Sequence, residues 1–289
     1  MGVDNGVPYS NDPLMQHYLR APLSLDGPIN VYEDMKNVQL VKSIFPASKW
    51  PEAFPYANDL YTYNDFLKAV AKFPSFCNDN NIDGNTLKET CRRELATIFA
   101  HWGQETGLRQ PPESEFWTQG LYYTEEINKS DYKSWDWGNN DKWPNQAGVQ
   151  YYGRGPLQLS WNYNYGQFSN IFSTDGYDSK MVLLRDPGAV SRDGYTAMAA
   201  GIWFYMTPQQ PKPSMHDVMT GFFEPNGTDV SKKMTNSFAT TINIINGALE
   251  CGKGPGYDKV AKRGEYFLNW LNFFGLPAEG DLDCGYQPN

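Results

Sequence analysis

The chain has 289 residues, a net charge of −9 and an isoelectric point of about 4.9. Its acidic balance disfavours a polyphosphate partner, so nucleic acid is set aside in favour of a neutral or cationic polymer. The most apolar stretch, residues 195–206, is too short to span a bilayer, so no membrane partner is expected.

Aromatic side chains are frequent, with 9 Trp, 19 Tyr and 16 Phe. Most fill a core, but such faces also stack on flat, partly apolar ligands, which points to a sugar or base site. In chain order, residues 1–58 are rich in Pro, Asn and Asp and show little helical period. Short apolar stretches such as 38–45 suit an extension that packs on, or links to, a main domain over residues 59–289. No signal peptide opens the chain. Met1-Gly2 fits a start left after a removed leader, and the expected location is extracellular.

Thr62 and Asp65 form a capping pair before Phe66, Leu67, Val70 and Phe73, and Pro74 ends that helix. Cys91, Leu95, Ile98, Phe99 and Trp102 recur at helical spacing and predict a helix running to Gly107. Residues 109–167 are long, weakly periodic and rich in Gly, Trp, Tyr and Asn, which reads as a functional loop region. Asp186-Pro187 predicts the start of a short helix. An apolar helix is expected over 193–206, a loop over 209–232 and a buried helix over 238–249. The last helix carries Tyr257, Val260, Ala261, Gly264, Phe267, Leu268 and Leu271, closing at Gly275 and Pro277. The fold class is mainly α with long loops.

Four cysteines, Cys77, Cys91, Cys251 and Cys284, allow three pairings. Local pairing, Cys77–Cys91 and Cys251–Cys284, is the simplest and would close two loops in an oxidising compartment. Four buried thiols are the alternative. No Cys-x-x-Cys pair exists and His17, His101 and His216 are scattered, so neither metal nor cofactor is expected. Each histidine reads as a surface or packing residue. Asn128-Lys129-Ser130 and Asn226-Gly227-Thr228 have the form of glycosylation sequons.

Among the carboxylates, Glu105 closes the helix whose other face carries Leu95, Ile98, Phe99 and Trp102. An acid there, facing a cleft beside aromatic groups, would be desolvated, which suits a proton donor. Glu126 lies in the loop region after Tyr122 and Tyr123. Two carboxyls across a cleft are the minimum equipment for glycoside hydrolysis.

The run Tyr151-Tyr152-Gly153-Arg154-Gly155-Pro156-Leu157-Gln158-Leu159-Ser160-Trp161-Asn162-Tyr163-Asn164-Tyr165 says more. Its glycines permit a tight loop. Gln158, Asn162 and Asn164 offer amides suited to hydroxyl and N-acetyl groups, and Ser160 can hold a water. Arg154 and Asn162 could equally tie the loop together. This run resembles the plant-type chitinases, family 19 of the glycoside hydrolases, with their Tyr-x-Gly-Arg-Gly-Pro-x-Gln-x-Ser-x-Asn-x-Asn-Tyr pattern. Gln104-Glu105-Thr106-Gly107 is similar to the family's acid segment, and residues 120–126 to the segment ending in its base. Trp143-Pro144, Ile244-Ile245-Asn246-Gly247-Ala248-Leu249-Glu250-Cys251 and Val260-Ala261-Lys262-Arg263 resemble three further signatures. Cys251 and Cys284 match the family's C-terminal disulfide in position. The resemblance covers about residues 60–289.

It implies a lysozyme-like helical domain with a deep substrate cleft, acting as a monomer on chitin or chitooligosaccharide. It implies an endo-acting, inverting hydrolase in which Glu105 is the acid, Glu126 the base, and Ser160 helps hold the water. Trp143, Gln158, Tyr163, Asn164, Ile245, Asn246 and Arg263 would line the sugar sites. Two positions depart from the pattern. Gln104 stands where the family usually has His, and Gly107 where it often has a Thr that positions the base side. Thr106 is the local candidate to replace that Thr. A peptidoglycan hydrolase on the same scaffold and a non-catalytic lectin-like relative are the rival readings.

Overall fold

The computed structural model describes residues 32–108, 113–129, 142–172 and 182–288. The expectations for His17, Ser130 and most of residues 1–58 lie outside these. Among the described residues the regular structure is helical, and strand-like pairing is limited to two isolated bridges, Glu125 with Arg154 and Arg154 with Leu159.

The first helix among the described residues, α1 (Lys36–Ile44), forms where the sequence shows little helical period. Val38 and Val41 are buried on one side, and Asn37 anchors the helix by donating to the Val70 and Phe73 carbonyls at 2.8 and 3.2 Å. A 3-10 turn (Ala47–Lys49) leads into α2 (Trp50–Ala53). In α3 (Tyr63–Lys72) the capping pair is present, with the Asp65 amide donating to Thr62 Oγ1 at 3.1 Å. The central helix α4 (Leu87–Thr106) opens on a capping box. The Glu89 amide donates to Thr86 Oγ1, and the Thr86 amide donates to the Glu89 carboxylate. Its residues Cys91, Leu95, Ile98, Phe99 and Trp102 are all fully buried, as their spacing requires.

After a 3-10 segment (Glu113–Thr118) come α5 (Asn162–Phe172), α6 (Val182–Arg185), α7 (Ala189–Arg192) and α8 (Gly194–Met206). Asp186-Pro187 lies between α6 and α7 rather than opening a helix, although the Pro187 carbonyl accepts from the Val190 amide. Residues 209–232 are not one loop: they hold α9 (Met215–Thr220) and α10 (Gly227–Ser231). Ser214 and Asn226 cap these helices, each with an Asp three residues on. Last come α11 (Phe238–Glu250) and α12 (Asp258–Phe273).

Helix α12 packs along α4, α8 lies against α3, and α9 bridges α4 and α11. Aromatic rings fill the seam. Phe99 sits with its centroid 5.2 Å from Phe45, 5.0 Å from Phe54 and 5.1 Å from Trp270. Much of the aromatic content therefore builds the core, through tilted and edge-on pairs. Cys77–Cys91 and Cys251–Cys284 are both disulfides, so the local pairing is the one formed. No helix among the described residues is long and apolar enough to cross a membrane.

Away from the cleft residues, α9 buries His216 between two carboxylates. Nδ1 lies 2.6 Å from Glu94 Oε1 and Nε2 lies 3.5 Å from Asp79 Oδ2. Burial alone would depress the His216 pKa, but the two carboxylates outweigh it and push it up to about 10. An unfolded histidine titrates near ~6.5, so this pairing contributes its full stability below that value. The contribution is lost as pH rises through about 10. Glu94→Leu is expected to cost ~3–5 kcal/mol at neutral pH, since it takes the nearer and fully buried carboxylate from a buried charged imidazole and leaves only the longer contact to Asp79. Thermal unfolding of variant and wild type should show the gap narrowing toward alkaline pH. A constant gap would contradict the charge pairing.

Candidate active site

Glu105 is the penultimate residue of α4, with its side chain 18 % exposed. Sequence reasoning placed it beside aromatic groups, but its immediate partner is a cation. Arg263, on α12, donates from Nη2 to Glu105 Oε1. Arg263 is 1 % exposed and holds a second carboxylate, Glu250, at the end of α11. Its Nε donates to Glu250 Oε2 at 2.8 Å and its Nη2 to Oε1 at 2.9 Å. Burial opposes the Arg263 charge, and the Glu105 and Glu250 charges override it. Burial likewise pushes Glu250 up, but Arg263 outweighs it, with help from Asn246, and holds that carboxyl below the usual range. A planar guanidinium joining two carboxylates satisfies groups that burial would otherwise penalise heavily.

Asn246 enters the same network by donating from Nδ2 to Glu250 Oε1 at 2.7 Å. It sits at a break in α11, with φ −146° and ψ 30°. Ile245 and Asn246 are half-buried at this kink. The network thus brings together Glu105, Asn246 and Arg263, three residues singled out from the sequence. Glu250 was quoted there only as part of a run. The signal was its position four residues after Asn246, one helical turn along the same face.

Glu126 is held differently. Its Oε1 accepts from its neighbours' amides, Ile127 at 2.9 Å and Asn128 at 3.1 Å. Its own amide donates to the Gly153 carbonyl at 2.8 Å, which fastens it to the motif loop. A cavity of about 550 Å³ opens beside it, lined by Tyr56, Asn58, Asp59, Tyr122 and Ile127 among others. The neighbouring Glu125 lines the same cavity but is paired with Lys129 and Arg154. Burial would raise its pKa, but Lys129 and Arg154 hold it below the usual range.

Thr106 links the two glutamates. Its hydroxyl donates to the Trp102 carbonyl at 2.7 Å and accepts from the Leu121 amide at 2.8 Å. Its carbonyl accepts from the amides of Tyr122 and Tyr123. The residue after Glu105 therefore fixes the segment that leads into Glu126. Gly107 leaves no room for a Thr at its position, because a Cβ there would lie 2.3 Å from the Gly103 carbonyl oxygen and 2.5 Å from Gln119.

In the motif loop Arg154 and Asn162 serve as ties. Arg154 Nη1 donates to the Gln150 and Tyr152 carbonyls and to the Tyr165 hydroxyl, and its guanidinium lies 3.7 Å from the Tyr152 ring centroid. Asn162 donates to the Trp143 carbonyl at 2.7 Å. Ser160 Oγ donates to the Gln158 carbonyl at 2.8 Å, and Gln158 Nε2 to the Gly155 carbonyl at 3.0 Å. Gln158 and Trp161 both have left-handed backbones, with φ 50° and 74°, so the loop turns sharply on either side of Ser160. Asn164 donates to the Ser160 carbonyl at 2.9 Å, and Tyr163 is half-buried beside it. Trp143 is among the residues expected to line the sugar sites. It is 4 % exposed and its ring lies on Gly166, where a Cβ would come within 2.3 Å of it. That glycine is what lets the indole pack into the protein. Among the described residues no group of three or more His, Cys, Asp or Glu could hold a metal ion.

Residues 48–284 match the family model for chitinase class I, glycoside hydrolase family 19. The chain belongs to this family. It is 36 % identical over 257 residues to Endochitinase CH25 of Brassica napus, covering 86 % of this chain and 74 % of that protein. It is 37 % identical over 256 residues to Inactive chitinase-like protein 1 of Hevea brasiliensis, covering 85 % and 75 %. A bacterial family 19 chitinase of known structure superposes with a TM-score of 0.63 at 28 % identity, over 83 % of this chain and all (100 %) of that one. A class IV family 19 chitinase from Zea mays gives 0.60 at 26 % identity, over 85 % of this chain and 100 % of that one. The helical architecture is the lysozyme-like fold of this family of glycoside hydrolases.

Proposed function

We propose that this protein is a secreted, monomeric, endo-acting chitinase that hydrolyses β-1,4-N-acetylglucosamine chains with inversion. The observation that carries the reading is the joining of two glutamates on separate elements, Glu105 at the end of α4 and Glu126 in a loop beside a cavity, through the hydrogen bonds of Thr106. Glu105 donates the proton to the glycosidic oxygen, which the single-displacement scheme requires of one carboxyl. Glu126 takes the proton from the attacking water. Its Oε1 already accepts two backbone amides, which leaves Oε2 for that water. Ser160 is proposed to help place the water from the turn that follows Gln158. Gln158, Tyr163, Asn164, Ile245 and Asn246 are proposed to contact the sugars.

Inverting enzymes keep their carboxyls roughly 6.5–9.5 Å apart so that a water fits between. The tie through Thr106 supports a fixed separation, because it locks the end of the acid helix to the base segment. Two disulfides support an oxidising, extracellular setting.

A chitin hexasaccharide and purified peptidoglycan, each incubated with the protein, separate the readings. Internal cleavage of the hexasaccharide with intact peptidoglycan is expected. Release from peptidoglycan alone would reassign the substrate. Binding of the hexasaccharide without cleavage would favour the second reading, a non-catalytic relative like the Hevea brasiliensis protein.

A further inference from the structure

His101 lies one helical turn before Glu105 on α4 and is fully buried. It is neither a surface residue nor simple packing. Its Nδ1 is 3.1 Å from Arg263 Nη1 and its Nε2 is 2.9 Å from Thr241 Oγ1. The proton positions follow from what each group can do. A guanidinium only donates, so Nδ1 must be the bare, accepting nitrogen. The ring proton is then on Nε2. The Thr241 hydroxyl donates its own hydrogen to the Phe238 carbonyl at 2.7 Å, so its oxygen is left to accept from Nε2. Every bond in this chain from Arg263 to Phe238 thus has a single consistent direction. An imidazolium, with two donors, would face a guanidinium and break it. Burial and the Arg263 charge both hold His101 well below its usual pKa, in the neutral form the bonds require. The ring plane is fixed as well. It stacks on Phe238 at 5.0 Å and 17°, and Phe238 stacks on Phe267 at 4.2 Å and 5°.

Arg263 presents its donors in a rigid fork. Glu250 holds the Nε and Nη2 side, and Nη2 also meets Glu105. The Nη1 edge is what His101 holds. We propose that His101 is a positioning residue, which pins the Nη1 edge of Arg263 through its Nε2–H tautomer and so fixes where Nη2 meets Glu105. Its effect on turnover rests on the reading of Glu105 as the acid.

Two variants and one spectrum test this. His101→Met removes both polar contacts, whereas His101→Asn keeps an acceptor near the Nδ1 position. With the chitin hexasaccharide, His101→Met is expected to lose ~10- to 100-fold in kcat, the scale of a small misplacement of a reacting group. KM should change by no more than about two-fold, because ground-state sugar contacts are untouched. His101→Asn should recover most of the loss. Equal kcat in wild type and His101→Met, or equal damage in both variants, would overturn the proposal. The nitrogen resonances of His101 in the wild type provide a readout that needs no catalysis. A bare Nδ1 and a protonated Nε2, unchanged over the range in which free histidine titrates, are expected. An Nδ1–H tautomer or an imidazolium would overturn the assignment even if His101→Met failed to fold. A wild type that shows the expected tautomer but does not cut chitin would leave the positioning intact and remove the chitinase reading instead.

Discussion

Glu105→Gln is expected to lose at least ~10²–10⁴-fold in kcat, the scale of general acid catalysis, while keeping its affinity for chitin oligosaccharides. The amide carbonyl can still accept from Arg263 Nη2, so the side chain keeps its place at the end of α4. What it loses is the transferable proton, which matters in the transition state and not in binding. Turnover on a chitin hexasaccharide and calorimetric titration with the same ligand give the two numbers. Near-normal turnover would remove Glu105 from the mechanism. Weakened binding with unchanged turnover would make it a sugar contact.

A second large effect, on stability, should come from the arginine. Arg263→Met strands Glu250, which is 1 % exposed and would keep only the Asn246 amide as a side-chain partner. Removing one partner of a buried pair typically costs ~3–5 kcal/mol. The acid dependence gives the sign. Arg263 outweighs burial and holds the Glu250 carboxyl below the usual range, so the pair contributes stability above the unfolded carboxyl value of ~4.3. That contribution is lost as pH falls through the lower folded value. Melting curves of wild type and Arg263→Met should therefore lie far apart at neutral pH and converge in acid. Curves that stay parallel would mean that the arginine contributes packing and not charge.

How much of this was legible depends on the range of the interactions. Local signals read well. The Thr62–Asp65 cap and the apolar repeat along Leu95, Ile98, Phe99 and Trp102 act within a few residues, and both elements form as expected. The helices at 215–220 and 227–231 were passed over because each is short and sits among Pro, Gly and Asn. Their caps, Ser214 to Asp217 and Asn226 to Asp229, were the available clue. Helix α1 escaped notice because its anchor, Asn37 on the Val70 and Phe73 carbonyls, is a tertiary contact that no local pattern announces.

The candidate site divides in the same way. The motif loop declared itself through an unusual run of Gly, Arg, Gln and Asn. The charge network behind Glu105 showed only in part, because Glu105, Asn246 and Arg263 stood out one by one but not as partners. Arg263 meets Glu105 across 158 positions of sequence and His101 across 162. Nothing near any of the three marks them as partners. The burial of Trp143 is likewise set by a tertiary contact, since the indole packs closely only because Gly166 lies opposite.

The measurement that bears most directly on the chitinase reading is the anomeric form of the first products from the chitin hexasaccharide. It should be taken by time-resolved NMR before mutarotation. Inversion across the β-1,4 bond predicts new reducing ends in the α form. Initial β products would show retention and contradict the assignment of Glu126 as a base acting through water.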